Sequence, residues 1–226
     1  MRRHGMVSVI IPVLNGATRL AATLAAVKAD ANEVVVVDGG STDGSQSIAA
    51  AAGARVLSAP RGRGTQLAAG ANAAEGDWLL FLHADTVLDR DWRASAEMLI
   101  ASDDGAERAG YFRLRFDDHS APARRVAAIA NWRSRRFGLP YGDQGLLISK
   151  SFYSALGGYR LLPLMEDVDL ARRIGRRRLI GLPAAATTSA ERYRRSGWVC
   201  RPARNLLCLT AYLAGMPPSR IARFYG

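Results

Sequence analysis

The strongest constraint on the fold is a set of short apolar segments that alternate with helix-like segments through residues 1–100. The segments at residues 7–11, 33–37, 55–57 and 78–82 are rich in Val, Ile and Leu, which favours β-strands. They are largely apolar along their length, whereas a strand with one solvated face would alternate with polar residues. This pattern is typical of parallel strands covered by helices on both faces, so the sequence predicts an α/β fold with a mostly parallel central sheet.

The segments between these strands have helical character. Leu20, Leu24 and Val27 recur at helical spacing, and Asn15 is placed to cap that helix. Residues 45–52 and 65–74 are also predicted to be helical. Strand, helix and strand therefore follow one another in the order that builds a parallel sheet.

A polar residue follows each predicted strand, namely Asn15, Asp38, Arg61 and Asp85. Ligands of open α/β sheets bind at the carboxyl ends of the strands. These four positions therefore predict a binding site at one edge of the sheet.

The second half of the chain is more mixed. Residues 111–116 alternate like a strand, residues 121–137 predict an Arg-rich helix, and residues 166–175 predict a helix that begins with acidic residues. Two helices separated by Pro217-Pro218 are predicted for the C-terminal tail. No repeat or linker divides the chain, so one domain is expected over residues 1–226, with parts at 6–110, 111–200 and 201–226.

Charge and cysteine spacing limit the environment of the protein. The formal net charge of +11 favours anionic partners such as diphosphates or acidic membranes, although solvated surface Arg residues would give the same count. Cys200 and Cys208 lie on one predicted helix, roughly 12 Å apart, which is too far for a disulfide. The longest apolar run, residues 206–216, is shorter than the roughly 20 residues of a membrane span. With no signal-like N-terminus, these features predict a reduced, cytoplasmic protein.

Two motifs at strand ends carry carboxylates with alternative roles. Asp38, in Asp38-Gly39-Gly40-Ser41, either accepts hydrogen bonds from a base or ribose or shapes a strand-to-helix turn. Asp85, in His83-Ala84-Asp85, either holds a cation such as Mg²⁺ or ends a strand.

Two later motifs are equally open. Glu166-Asp167 supplies either a general base or acidic residues that suit a helix N-terminus. Asp143-Gln144 follows Tyr141-Gly142 and either binds a sugar or forms a turn.

Together these motifs resemble family 2 glycosyltransferases of the GT-A fold. The resemblance covers residues 6–175 and rests on four motifs in the family's order: Val9-Ile10-Ile11-Pro12-Val13-Leu14-Asn15, Val36-Val37-Asp38-Gly39-Gly40-Ser41-Thr42-Asp43-Gly44, Phe81-Leu82-His83-Ala84-Asp85 and Glu166-Asp167-Val168-Asp169. The runs Pro140-Tyr141-Gly142-Asp143-Gln144, Gly157-Gly158-Tyr159 and Pro163-Leu164-Met165-Glu166-Asp167 look like a bacterial subgroup associated with arsenosugar biosynthesis and radical-SAM genes.

The resemblance implies a role for each matching residue. Asp167 would be the catalytic base with Glu166 beside it, and Asp85 would ligate Mg²⁺ or Mn²⁺ that bridges the diphosphate. Asp143 and Gln144 would contact the acceptor or sugar. The nucleotide would be bound by residues from the first half of the chain: Pro12, Asn15, Asp38, Arg61, Gly64, His83 and Asp85.

His83 departs from the family pattern, because it stands where the D-x-D motif has its first Asp. A neutral imidazole can still bond to ribose, but the loss of one negative charge predicts weaker metal binding. We therefore expect Arg192, Arg194 and Arg195 to help stabilise the leaving diphosphate, since guanidinium groups match phosphate oxygens.

The sequence thus predicts an inverting glycosyltransferase that moves a sugar from a nucleoside-diphosphate sugar to an acceptor hydroxyl. A nucleotidyltransferase is the alternative on a similar scaffold, but its Gly-rich loop after the first strand is missing from Asn15-Gly16-Ala17-Thr18. A basic protein that binds membrane or nucleic acid without catalysis is a further alternative. For the enzyme we expect no nucleic-acid partner, and we expect the C-terminal helices to contact either the inner face of a membrane or a second copy of the chain.

Overall fold

The computed structural model describes residues 5–225, and residues 1–4 and 226 lie outside the described range. The strands of this range are β1 (Val7–Val13), β2 (Glu33–Asp38), β3 (Arg55–Ser58), β4 (Trp78–Phe81), β5 (Thr86–Leu88), β6 (Ala109–Phe116), β7 (Leu146–Ser149) and β8 (Leu179–Thr188). The α-helices are α1 (Ala17–Lys28), α2 (Ser45–Ala51), α3 (Arg63–Ala73), α4 (Trp92–Ile100), α5 (Ala121–Phe137), α6 (Lys150–Ala155), α7 (Glu166–Ile174), α8 (Glu191–Ser196), α9 (Cys200–Leu213) and α10 (Pro218–Tyr225).

All eight described strands form one sheet in the order β3-β2-β1-β4-β7-β6-β8-β5. The first four strands of that order run parallel, with Val9 opposite Val34 and Leu80. Strand β7 is antiparallel to both β4 and β6, β8 is parallel to β6, and β5 is antiparallel to β8. The sheet is therefore parallel where the first half of the chain builds it and mixed beyond β4, which confirms the predicted α/β class.

The two faces of the sheet are both covered, as the apolar strands predict. On one face Val9 and Ile11 of β1 pack in the same core cluster as Leu20, Leu24 and Val27, the predicted apolar positions of α1. On the other face Ile10 of β1 packs in the cluster that contains Leu67 and Ala71 of α3. Alternate residues of one strand thus enter opposite cores, which fixes the register of the sheet.

Two strands differ from the sequence analysis, one in its end and one in having been missed. Pro12 does not end the first strand, because β1 continues to Val13. The long strand β8 was not predicted, since its sequence contains three consecutive Ala residues and Pro183, which are poor strand signals. Pairing with β6 over most of its length overrides that local preference.

No helix within residues 5–225 combines the length and the apolar character that crossing a bilayer requires. The predicted tail of two helices is confirmed as α9 and α10, with Pro217 before the second helix.

Candidate active site

A groove of about 590 Å³ lies where the parallel strands end, and we call it the sheet-edge groove. It contains five residues that the sequence assigns to the nucleotide: Pro12, Asn15, Arg61, His83 and Asp85. Because β1, β2 and β4 are adjacent and parallel, their carboxyl ends bring these separate segments to one edge.

Asn15 joins the segments that follow β1 and β2. Its backbone is left-handed, with φ 52°, and its Oδ1 atom accepts a hydrogen bond of 2.9 Å from the Thr42 N–H. The predicted cap by Asn15 is wrong, because Gly16 occupies the cap position of α1. The Asp43 carboxylate instead accepts a bond of 2.9 Å from the Ala17 N–H at the start of that helix.

Asp38 shapes the turn after β2 and is fully buried. Its carboxylate accepts hydrogen bonds from the N–H groups of Gly40 and Ser41 and from the Gln46 amide, at 2.9, 3.0 and 2.7 Å. Burial alone would raise the pKa of Asp38, but these bonds outweigh it and lower the pKa. Asp38 is not on the wall of the sheet-edge groove, its observed contacts form the turn, and its assignment to the base stays a prediction.

Gly64 has a packing role, and its assignment to the nucleotide stays a prediction. A Cβ atom at this position would lie 2.5 Å from the carbonyl oxygen of Arg160 and 3.3 Å from the backbone of Leu162. Because Gly64 has no side chain, the segment that contains Arg160 and Leu162 can pack against α3. Gly64 is not among the residues that line the groove.

A second space of about 110 Å³, which we call the inner cavity, opens beside the groove. Asp143, Asp167, Tyr193 and Asn205 are on its wall, and they come from four separate segments of the chain. The two spaces share five residues: Arg63, His83, Asp85, Ser189 and Arg192. A molecule in the groove can therefore meet a molecule in the cavity at this boundary.

Asp167 lies in the first turn of α7 and faces the inner cavity. Its Oδ2 atom accepts a bond of 2.9 Å from the Gly142 N–H, and its Oδ1 atom accepts one of 2.8 Å from the Val168 N–H. The helix begins after Met165, a non-glycine residue held in left-handed backbone at φ 66°. Such strain is sustained where the surrounding structure fixes the backbone, and here it orients the start of the helix. The helix N-terminus favours the negative charge of the carboxylate.

Glu166 is not on the wall of the cavity and pairs with Arg63, a residue that the sequence did not identify. The side chain of Glu166 is 1% exposed, and burial raises its pKa against the opposing effect of Arg63. Burial lowers the pKa of Arg63, but Glu166 and Asp167 outweigh it and raise the pKa, so Arg63 stays a cation. Glu166 is thus a positioning residue here rather than a second acid facing the acceptor.

Arg63 connects the motifs of the two halves. Its Nη1 atom lies 3.3 Å from Nε2 of His83, and its Nη2 atom lies 3.7 Å from Oδ2 of Asp167. The sequence hint was the segment Arg61-Gly62-Arg63-Gly64, in which α3 begins two residues earlier than predicted, so that Arg63 is its first residue.

His83 is neutral at physiological pH. Burial and the nearby charges of Arg63 and Arg192 lower its pKa well below the ordinary value. Its Nε2 atom is therefore available to accept a hydrogen bond from Arg63. Gly142 packs directly on this ring, because a Cβ atom there would lie 2.5 Å from Nε2.

Asp143 and Gln144 are neighbours with different surroundings. Burial raises the pKa of Asp143 to about 6; Arg133 opposes this effect, and Asp167 and Asp85 add to it. Within the described residues its Oδ1 atom is buried and has no hydrogen-bond partner.

Gln144 is fully buried, which corrects its assignment to the acceptor or sugar. Its Oε1 atom accepts a bond of 2.6 Å from the Ser134 hydroxyl, and its Nε2 atom donates one of 3.1 Å to the Phe112 carbonyl. Gln144 therefore ties α5 to β6.

The three arginines assigned to the diphosphate separate in the structure. Arg192 lines both the groove and the cavity. Arg194 pairs with Asp117 and Asp118 at 3.4 and 3.7 Å. Arg195 is exposed and is not on the wall of either space. Only the assignment of Arg192 agrees with its position.

Asp85 is the residue that the sequence assigns to a metal ion. Within residues 5–225, no three His, Cys, Asp or Glu side chains are grouped so that they could hold a metal ion. Asp85 nevertheless stands at the boundary of groove and cavity, and Mg²⁺ is commonly held by one or two carboxylates together with substrate phosphates. Asp85 therefore fits a cation that binds together with a diphosphate. It does not form a complete metal site by itself.

An open sheet with a groove at its strand ends places the chain among α/β proteins that bind ligands at that edge. The chain belongs to glycosyl transferase family 2, whose sequence model matches residues 8–157. No curated protein sequence matches the chain. The subgroup indicated by the sequence stays a prediction.

Solved structures with the same fold have low sequence identity. S. aureus TarS in complex with UDP is 17% identical, with a TM-score of 0.63 over 81% of this chain and 60% of that chain. Glucosyl-3-phosphoglycerate synthase from Mycobacterium tuberculosis, in complex with Mn²⁺, UDP and glucosyl-3-phosphoglycerate, is 18% identical, with a TM-score of 0.54 over 81% of this chain and 70% of that chain. These similarities establish the GT-A fold, and the chain spans about 60% of the length of the TarS structure.

Proposed function

We propose that the protein transfers a sugar from a nucleoside-diphosphate sugar to an acceptor hydroxyl with inversion at the anomeric carbon. The observation that carries the proposal is the position of Asp167, a carboxylate of the inner cavity next to the boundary with the sheet-edge groove. The groove has the size of a ligand site, since such sites occupy roughly 300–1,000 Å³.

In the proposed reaction the donor occupies the groove and the acceptor occupies the cavity. Asp167 takes the proton of the acceptor hydroxyl, and that oxygen attacks the anomeric carbon. The bond from this carbon to the diphosphate breaks, and its electron pair leaves with the nucleoside diphosphate. The unpartnered Oδ1 atom of Asp143 is available to accept a hydrogen bond from a sugar or acceptor hydroxyl.

Positive side chains stand where the leaving group would gain charge. Arg63 and Arg192 line the boundary, and Arg61 lines the groove. Fixed charges aimed at a developing anion lower the barrier of such a step. Asp85 would hold Mg²⁺ or Mn²⁺ together with the diphosphate, and the cation would supply Lewis-acid stabilisation of the departing oxygens.

Three further parts of the proposal concern organisation and partners. Residues 6–110 form the nucleotide-binding part, residues 111–200 the acceptor part and residues 201–226 the C-terminal part of one domain. The membrane contact, the homodimer and the cytoplasmic location stay predictions, and exposed apolar side chains on α9 support a contact of some kind.

A thermal-shift series with UDP, CDP, GDP and their sugars, each with and without Mn²⁺, tests the donor. One nucleotide at about 100 times its Kd should stabilise the folded state by roughly 2.7 kcal/mol, which is a Tm increase of about 5–10 °C. Asp85→Asn should remove the Mn²⁺-dependent part of the increase. Absence of any shift, together with absence of nucleoside-diphosphate release from every donor, would contradict the proposal.

A further inference from the structure

The outer face of α9 exposes apolar side chains along the helix. Leu206 and Leu207 are 59% and 69% exposed, Leu213 is 46% exposed, and Val199 just before the helix is 79% exposed. Between residues 199 and 217, all of which the structure describes, no exposed residue is charged. Exposed apolar surface without charge is typical of an interaction site.

The inner face of the same helix belongs to the proposed acceptor site. Arg201 and Asn205 line the inner cavity, and Cys208 and Leu209 pack in the cluster that contains Val168 of α7. With 3.6 residues per turn, these positions are grouped on the side of the helix away from the apolar stripe. Helix α9 therefore separates the acceptor cavity from the exposed apolar surface.

The charges near this surface favour an anionic partner. From Arg192 to Gly226 the sequence has seven Arg residues and no Asp or Glu. Arg220 and Arg223 are exposed on α10, beside Phe224, which is 77% exposed. Apolar and aromatic side chains flanked by cationic ones are typical of helices that lie at the surface of anionic membranes.

The size of the stripe argues against a dimer held by this face alone. The 14 residues of α9 span about 21 Å, and a stripe about 10 Å wide gives roughly 200 Å². A stable protein interface buries about 800 Å² on each partner. A helix docked on a bilayer needs only a narrow apolar face together with attraction to anionic lipids.

We propose that the outer face of α9 docks on a bilayer containing anionic lipids, and that the acceptor is a hydroxyl on the headgroup of a lipid in that bilayer. The acceptor part rests on the proposed glycosyl transfer. One helix diameter, about 10 Å, separates the apolar stripe from the cavity, which places the cavity at the outer edge of the headgroups. A hydroxyl on an extended polar headgroup reaches this height.

Co-sedimentation with vesicles tests the docking. The protein is expected to bind vesicles of phosphatidylcholine and phosphatidylglycerol, and to bind vesicles of phosphatidylcholine alone far less. The double change Leu206→Asp and Leu207→Asp should lower the partition to anionic vesicles at least about tenfold, because two apolar side chains no longer insert. Met98→Asp is the matched control, since Met98 is 66% exposed on α4 and should leave partition unchanged.

The thermal shift of each variant, with the nucleotide among UDP, CDP and GDP that stabilises the unmodified protein, shows whether it is folded and whether the nucleotide site is intact, independently of docking. Equal sedimentation of the double variant and the unmodified protein, or no binding to anionic vesicles, would overturn the docking. A dimer in light scattering that the double change dissociates would identify a second copy as the occupant and also overturn it.

Labelled donor sugar tests the acceptor. Incubation with vesicles made from a total lipid extract of the source organism should place the label in the lipid fraction. If the protein docks and hydrolyses the donor but labels no lipid, the acceptor assignment fails while the proposed use of the donor stands.

Discussion

The sheet-edge groove and the inner cavity share a boundary but are built in different ways. The groove has about 590 Å³ and is formed largely by segments that follow the strands of a parallel sheet. The cavity has about 110 Å³, and Asp143, Asp167 and Arg201 come to it from distant parts of the chain. Burial raises the pKa of Asp143 in the cavity, and the nearby charges of Arg133 and Asp167 modify that shift in opposite directions. Substitutions in the groove should therefore change binding, whereas those around the cavity should also change stability or proton equilibria.

Asp167→Asn should have the largest effect on activity. Amide and carboxylate have similar shapes, so Asn keeps the volume of the side chain and an oxygen for one of the two N–H groups of Gly142 and Val168, while the other bond and the base are lost. General-base catalysis contributes roughly 10²–10⁴-fold, and kcat for nucleoside-diphosphate release should fall by that factor. The thermal shift with the nucleotide should stay nearly unchanged. Unchanged kcat would remove Asp167 from the role of base.

Asp143→Asn should alter the pH dependence of stability. The folded pKa of about 6 is above the ordinary value of 3.8, so folding favours the protonated form of this carboxyl group. Its stabilising effect is complete below about pH 4 and is lost as the pH rises through about 6. The contribution of Asp143 to the free energy of unfolding therefore changes by about 3 kcal/mol between these two pH limits.

Urea unfolding at several pH values between 4 and 7 measures this effect. The Asn variant should lack the decrease, and above pH 6 it should be more stable than the unmodified protein. Parallel pH curves for the two proteins would show that Asp143 is not the group responsible. The charged neighbours Arg133, Asp167, Asp85 and Arg63 are present in both proteins.

Arg63→Met should lower the free energy of unfolding by about 2 kcal/mol. It leaves the buried carboxylate of Glu166 without its cation. Removal of one partner from a fully buried pair costs roughly 3–5 kcal/mol. We expect the lower figure of about 2 kcal/mol because the Arg63 side chain is 35% exposed. Adding Glu166→Gln should recover part of the loss in a double-mutant cycle. If the two changes are simply additive, the pair is not coupled.

Sequence alone identified the groove better than the cavity. Asn15, Arg61 and Asp85 follow strands of the predicted parallel sheet, in which the end of a strand already specifies the edge on which a residue lies. Asp38 and Gly64 lie in the segments that the same logic indicates, but their observed contacts are with backbone groups of the chain. Position in a motif does not say whether a side chain faces the ligand or the turn.

The arrangement of the cavity depends on contacts between distant residues. Arg63 and Glu166 are 103 positions apart, and no local pattern marks them as partners. The strand β8 leads to Ser189 and Arg192, yet its Ala-rich sequence gave no strand signal. These features are determined by tertiary packing, which a single sequence does not display.

Gln144→Met should have the smallest of these effects and tests the structural role of this buried residue. The Phe112 carbonyl loses its bond from Gln144, and the Ser134 hydroxyl keeps only its bond to the Ala130 helix carbonyl among its short bonds, at a cost of about 1–2 kcal/mol in urea unfolding. The KM for the donor should stay unchanged. Arg61→Ala is the matched groove variant, because Arg61 is exposed; its stability should change by less than about 0.5 kcal/mol while the KM for the donor rises. If stability and the KM for the donor change in the same way in both variants, the distinction between structural and binding residues is wrong.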